Sequence, residues 1–190
     1  FATFGLMIFF RGLAQYLWKP DFRSVDHTIV AGKVAFFGLQ FGLPQVVAAA
    51  GAVLTTAAVW AFLRFTRLGA ALEATAADKE AAALMGIDAQ KMFALAWGIG
   101  AACAGVAGAL LATYYPIFPE VGSTFILVAF VLVALGGFGS VVGAFWAGIL
   151  VGIVEVLGGF LWDPAYKMVL VLSLYLVVVW FRPQGLMGKA

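Results

Sequence analysis

Val141-Val142-Gly143-Ala144-Phe145-Trp146-Ala147-Gly148-Ile149-Leu150-Val151-Gly152-Ile153-Val154-Glu155-Val156-Leu157-Gly158-Gly159-Phe160-Leu161 carries one ionisable side chain, Glu155, in an otherwise apolar run. A hydrocarbon core about 30 Å thick is crossed by roughly 20 such residues in a helix. Strands of a membrane barrel alternate apolar and polar residues in segments of about ten, and this run does not alternate. It therefore reads as a membrane-spanning helix. Runs of the same kind cover residues 44–63, 92–115, 122–138 and 166–181, and another occupies residues 1–18. The expected fold is all-α, a polytopic transmembrane helical bundle forming one domain over residues 1–190.

Composition agrees with lipid as the main solvent. Of the 190 residues 65% are hydrophobic and 11% charged, and the mean hydropathy is +1.08. Soluble domains carry about 25% charged residues, and a chain this apolar would expose too much surface to water. The 23 glycines exceed the usual share of about 7%, and between membrane helices small residues let backbones approach closely. Because Phe1 opens in mid-run, without a charged leader, the chain is expected to be a fragment with upstream helices missing.

Several function classes drop out on the same grounds. A net charge of +2 on few ionisable groups provides no basic stripe for nucleic acid. Cys103 is the single cysteine and His27 the single histidine, so neither a disulfide framework, a metal site nor His-based catalysis is expected. Gly32-Lys33 and Gly188-Lys189 lack the spacing and hydroxyl of a phosphate-binding loop. An enzyme is not expected, nor any cofactor in this chain.

Two polar stretches, 19–33 and 64–91, interrupt the apolar pattern. The second, with the tail, places Arg64, Arg67, Lys79, Lys91, Arg182 and Lys189 on one side, because an even number of spans separates them. Lys19, Arg23, Lys33 and Lys167 fall on the other side. Positive charge favours the first side as cytoplasmic. Trp18, Trp162 and Trp180 lie near span ends, as interfacial aromatics do.

Within 64–91, Asp78-Lys79-Glu80-Ala81-Ala82-Ala83-Leu84-Met85-Gly86-Ile87-Asp88 predicts a stub helix with both ends marked. Asp78 can cap its first amides, Lys79 to Met85 are helix formers, and Gly86 can take the left-handed conformation that stops it. Asp88 is then placed to cap the next helix. Such a stub is about 10 Å long at 1.5 Å per residue, too short to cross a membrane. Its alanines would let another protein approach, with Lys79 and Glu80 offering charge at one end.

Glu80-Ala81-Ala82 followed by Gly86 resembles the EAA signature of ABC-importer permeases. Residues 66–78 with 83–87, the block Leu135-Gly136-Gly137-Phe138-Gly139-Ser140-Val141-Val142-Gly143-Ala144 and the tail Phe181-Arg182-Pro183-Gln184-Gly185-Leu186-Met187-Gly188 are similar to the branched-chain amino-acid permeases of the high-affinity uptake family. The likeness is to the C-terminal portion of the first-type permease subunit. Glu73 stands where that family usually has Arg. The resemblance implies a permease subunit in a bacterial inner membrane, with Glu80, Ala81, Ala82 and Gly86 as the cytoplasmic coupling helix within 64–91. It further implies ABC ATPase subunits, a second permease subunit and an extracytoplasmic solute-binding protein as partners.

Remaining candidates are Arg11 and Glu155, since an ionisable group inside a membrane costs about 2.5–3.5 kcal/mol on insertion scales. Arg11 either lines a polar cavity, pairs with a carboxylate, or sits shallower than the run suggests. Glu155 either faces the solute path or snorkels to the interface. Gly139, Gly143, Gly148 and Gly152 are expected to pack helices, the alternative being a direct role in the solute path, with Ala144 on the same side as Gly148 and Gly152. Cys103 reads as a small packing residue, and Gly136–Ser140 as a tight interhelical turn. The rival functions are an ion-coupled secondary transporter, which needs intramembrane ion ligands, and an intramembrane enzyme, which needs a nucleophile-base or metal set.

Overall fold

The computed structural model describes residues 1–24, 32–36, 39–161, 163–182 and 184–188. His27, Trp162, Pro183 and Lys189, all read above, lie outside the described residues. Eight α-helices are present among the described residues: α1 (Ala2–Trp18), α2 (Leu43–Phe65), α3 (Arg67–Ala77), α4 (Lys79–Leu84), α5 (Ala89–Leu111), α6 (Val121–Gly136), α7 (Val141–Leu161) and α8 (Lys167–Phe181). A short antiparallel ribbon, β1 (Lys33–Phe36) with β2 (Leu39–Gly42), pairs Lys33 with Gly42 and Phe36 with Leu39. The all-α helical architecture stands, with this ribbon added inside the stretch that leads into α2.

Each of the six apolar runs has become a helix. Among the described residues α2, α5 and α7 are long and apolar enough to cross a membrane, while α6 and α8 are apolar and shorter. Hydroxyls inside these helices return to their own backbone: Thr55 donates to the Gly51 carbonyl at 2.7 Å, Thr56 to Ala52 at 2.9 Å and Ser173 to Leu170 at 2.9 Å. That is the arrangement lipid demands, because no water is at hand to satisfy a polar group.

The chain forms two compact units. One comprises Phe22–Ile117. In it α2 and α5 run antiparallel, Gly51 in the first half of α2 lying against Leu110 near the end of α5. The segment 66–88 joins their other ends through α3 and α4. Arg23 and Ile117 exchange both backbone hydrogen bonds, at 2.9 and 2.8 Å, and tie the two margins of the unit together.

The other unit comprises Phe1–Asp21 and Phe118–Ala190. Its core is Val131 and Leu135 of α6, Ala147 and Val151 of α7 and Val171 of α8. The packed face of α7 is Gly143, Ala147, Val151 and Gly158, residues that recur at helical spacing. The opposite side of each helix is exposed and apolar, with Phe130, Val156, Phe160, Leu176 and Trp180 turned outward. A large apolar exterior is the expected surface of a lipid-embedded helix.

Gly137–Ser140 joins α6 to α7 as the tight turn the glycines indicated. Ser140 Oγ accepts from the Gly143 amide at 3.0 Å and so caps α7. The tail returns to this turn. The Leu186 amide donates to the Leu135 carbonyl at 2.8 Å and the Met187 amide to Gly136 at 3.1 Å, so the last carbonyls of α6 are satisfied by the tail. Gly137 (φ 98°) and Gly185 (φ 79°) have positive φ, and a Cβ on either would run into the other strand's backbone. Two of the three sequence blocks that carried the family resemblance therefore meet in space.

Candidate functional site

The stub α4 is built as its sequence reads. Asp78 Oδ1 accepts from the Glu80 amide at 2.8 Å and the Ala81 amide at 3.1 Å, satisfying two of the orphan donors at the helix start. At the other end the Ile87 amide bonds the Ala82 carbonyl at 3.1 Å and the Gly86 amide bonds Ala83 at 3.0 Å. With Gly86 at φ 82°, this is a complete Schellman stop. Asp88 Oδ1 then accepts from the Gln90 and Lys91 amides at 3.0 and 3.3 Å and opens α5. The Lys91 amide, then the Lys91 ammonium 3.3 Å from Oδ2, hold the Asp88 carboxyl below the usual carboxylate range.

The stub's faces are not equivalent. Ala82 is turned inward and buried, whereas Glu80, Ala81 and Gly86 are exposed. Ala82 thus seats the stub, and the surface offered outward is Glu80, Ala81 and the apolar pair Leu84 and Met85, exposed by 89% and 84%. Sequence reasoning missed those two; their signal was a large apolar pair just before the stop glycine of a helix too short to bury them. It also missed α3, whose start is capped by Thr66 Oγ1 accepting from the Gly69 amide at 3.0 Å.

Arg11 is paired with a carboxylate, that of Glu120, which precedes the first turn of α6. Gln15, one turn on from Arg11 along α1, donates to the same Glu120 oxygen at 3.3 Å. Glu120 lies in the interval between two apolar runs and was not singled out in the sequence; an isolated acid beside a span, given a lone arginine inside another, was the available clue. Glu155 stands on α7 one turn after Val151 and one before Gly158 and Gly159, on the packed side, and its carboxylate has no hydrogen bond or ion pair among the described residues.

The glycine assignments on α7 divide. Gly143 lies against the Gly136 carbonyl and Ser140 hydroxyl, and Gly158 against Leu170 of α8. Gly148 and Gly152 meet nothing within 4 Å; with Ile149, Ile153, Val156 and Leu157 they line an open apolar groove. Among the described residues no other helix lies against these two glycines. Small residues recur on two sides of α7, and the side with Ala147 and Val151 is the one that faces α6 and α8. Gly139 likewise meets nothing within 4 Å and serves the turn, at φ 82°.

Apolar helices of spanning length, hydroxyls folded back on their own carbonyls and an apolar exterior define a multi-pass helical membrane protein, here with a capped, non-spanning stub between two of its spans. Residues 1–179 match the family model described as the permease component of the branched-chain amino acid transport system. The chain belongs to that family. It is 37% identical over 137 residues to the high-affinity branched-chain amino acid transport system permease protein LivH of Escherichia coli K12, covering 72% of this chain and 44% of that one. With the corresponding protein BraD of Pseudomonas aeruginosa it shares 34% over 193 residues, 99% of this chain and 63% of the relative. A probable branched-chain amino acid transport permease protein of Methanocaldococcus jannaschii is 31% identical over 186 residues, 93% of this chain and 56% of the relative. The chain thus spans about half the length of the curated relatives it matches. No solved structure matches.

Proposed function

We propose that the chain is part of a permease subunit of an ATP-binding-cassette importer, carrying branched-chain or related amino acids across the cytoplasmic (inner) membrane. The observation that carries the reading is the family match over residues 1–179, and the relatives' names supply the substrate class. ATP hydrolysis then belongs to separate ABC ATPase subunits, and a second permease subunit and an extracytoplasmic solute-binding protein complete the machine. The stub α4 is the coupling element in this reading. It is rigidly stopped at both ends, and its exposed Leu84 and Met85 are the kind of apolar anchor that seats in a partner's pocket. An ion-coupled secondary transporter is not favoured, because the relatives are named as permease proteins of a transport system.

The test is co-purification and reconstitution of the full-length protein with the ATPases and binding protein expressed alongside it. The expected outcome is ATP-dependent uptake of leucine, isoleucine or valine into vesicles, lost when Leu84 and Met85 are both changed to Asp because the ATPase no longer associates. Uptake driven by an ion gradient without ATP would overturn the proposal.

A further inference from the structure

We propose that Arg11, Gln15 and Glu120 form a transient binding site for the zwitterionic head of the transported α-amino acid. This rests on the transport reading above and adds a site to it. Arg11 and Gln15 are four residues apart on α1 and so share a face, and both reach the same oxygen, Oε1 of Glu120. The second oxygen, Oε2, takes no hydrogen bond from a described residue, and the guanidinium, which carries five N–H donors, meets Glu120 through its Nη2 end. Glu120 does not spend its carboxylate on capping α6 either.

The cluster therefore keeps one acceptor and one set of N–H donors free, side by side and of opposite charge. An ammonium needs an oxygen acceptor, and a carboxylate fits the planar fork of an arginine. An α-amino acid carries both, one carbon apart, and can bind without breaking the resident pair. The side chains of Arg11 and Glu120 are 42% and 45% exposed, open enough for a ligand to reach. Met7 and Ile8, one turn before Arg11 and also exposed, supply an apolar surface beside the head for an aliphatic side chain. A phospholipid with an ammonium headgroup offers related chemistry, so the experiment separates the two sources.

The test uses the assembled transporter in vesicles and reads amino acid imported per ATP hydrolysed. Arg11→Lys keeps the charge and the pair but loses the fork; it is expected to assemble normally, hydrolyse ATP, and import about tenfold less per ATP. The double exchange Arg11→Glu with Glu120→Arg restores pairing, and is expected to recover assembled yield while import stays about tenfold down, because the head would bind reversed. Import within twofold of the unmodified ratio in either variant, as expected of a purely structural pair, overturns the site. So does an effect of either variant that appears only in vesicles containing phosphatidylethanolamine and not in phosphatidylcholine alone, which would assign the cluster to lipid. If the unmodified complex imports no amino acid in either lipid, the transport reading fails and the site with it.

Discussion

At the scale of single residues, Gly86 and Asp88 show how much of the stub rests on backbone chemistry. Gly86→Val puts a β-branched side chain at φ 82°, a strained conformation worth about 1–3 kcal/mol. The stub would lose its stop and its orientation. Gly86→Val and Glu80→Lys are expected to leave the protein inserted and ATP hydrolysis running, while uptake in reconstituted vesicles falls severalfold. Unchanged uptake in both would remove α4 from coupling. Asp88 makes a second prediction. Its carboxyl is held below the ordinary range, so the stability it contributes is complete above the unfolded-state pKa of about 3.9 and is lost as pH falls through the lower folded value. Asn caps a helix about as well but cannot titrate or attract Lys91. Asp88→Asn is therefore expected to be less stable to heat at pH 7, with the gap closing toward pH 3; a gap independent of pH would show that the charge is irrelevant. Both caps and the stop were legible in the sequence because each depends on residues within five positions. Glu120 was not, because its partner Arg11 is more than a hundred residues away.

Among the elements, the helices were legible and their faces were not. Apolar length alone located α1, α2, α5, α6, α7 and α8, and Val141–Leu161 has the same bounds in the structure. The helix α3 escaped because its Ala-rich stretch has neither the length of a span nor the marked stop of α4. The ribbon β1–β2 escaped because each of its strands is four residues long. For α7 the period of small residues fits two faces equally, and only tertiary packing chooses. The choice is testable. Ala147 is fully buried, and Ala147→Leu overpacks the α6–α7 contact at about 1–3 kcal/mol, whereas Gly148→Leu projects into the open groove. In detergent, Ala147→Leu is expected to lower the aggregation temperature clearly more than Gly148→Leu. The reverse order would return the packing face to Gly148 and Gly152.

For the molecule as a whole, sidedness follows from parity. Between the stub and the tail lie α5, α6, α7 and α8, so residue 79 and the tail share one side and Lys167 takes the other if each crosses. With Cys103→Ser as background, Lys167→Cys is expected to react with an impermeant thiol reagent outside intact cells, and Lys79→Cys only after permeabilisation. Labelling at 79 but not at 167 would invert the orientation. Membrane class was legible from composition, and the family from three separated blocks. That two of those blocks touch was not, since nothing local in Leu135–Gly137 calls for Gly185–Gly188. Their contact also orders events during synthesis. The carbonyls of Leu135 and Gly136 leave the ribosome long before the amides of Leu186 and Met187 exist to meet them. The turn between α6 and α7 has its own local bonds, Ser140 amide to Gly137 carbonyl and Gly143 amide to Ser140 Oγ, but those two carbonyls stay without their final partners until the tail arrives. A chain stalled before residue 186 would carry all the apolar helices described here and still leave the Leu135 and Gly136 carbonyls at the end of α6 without these partners.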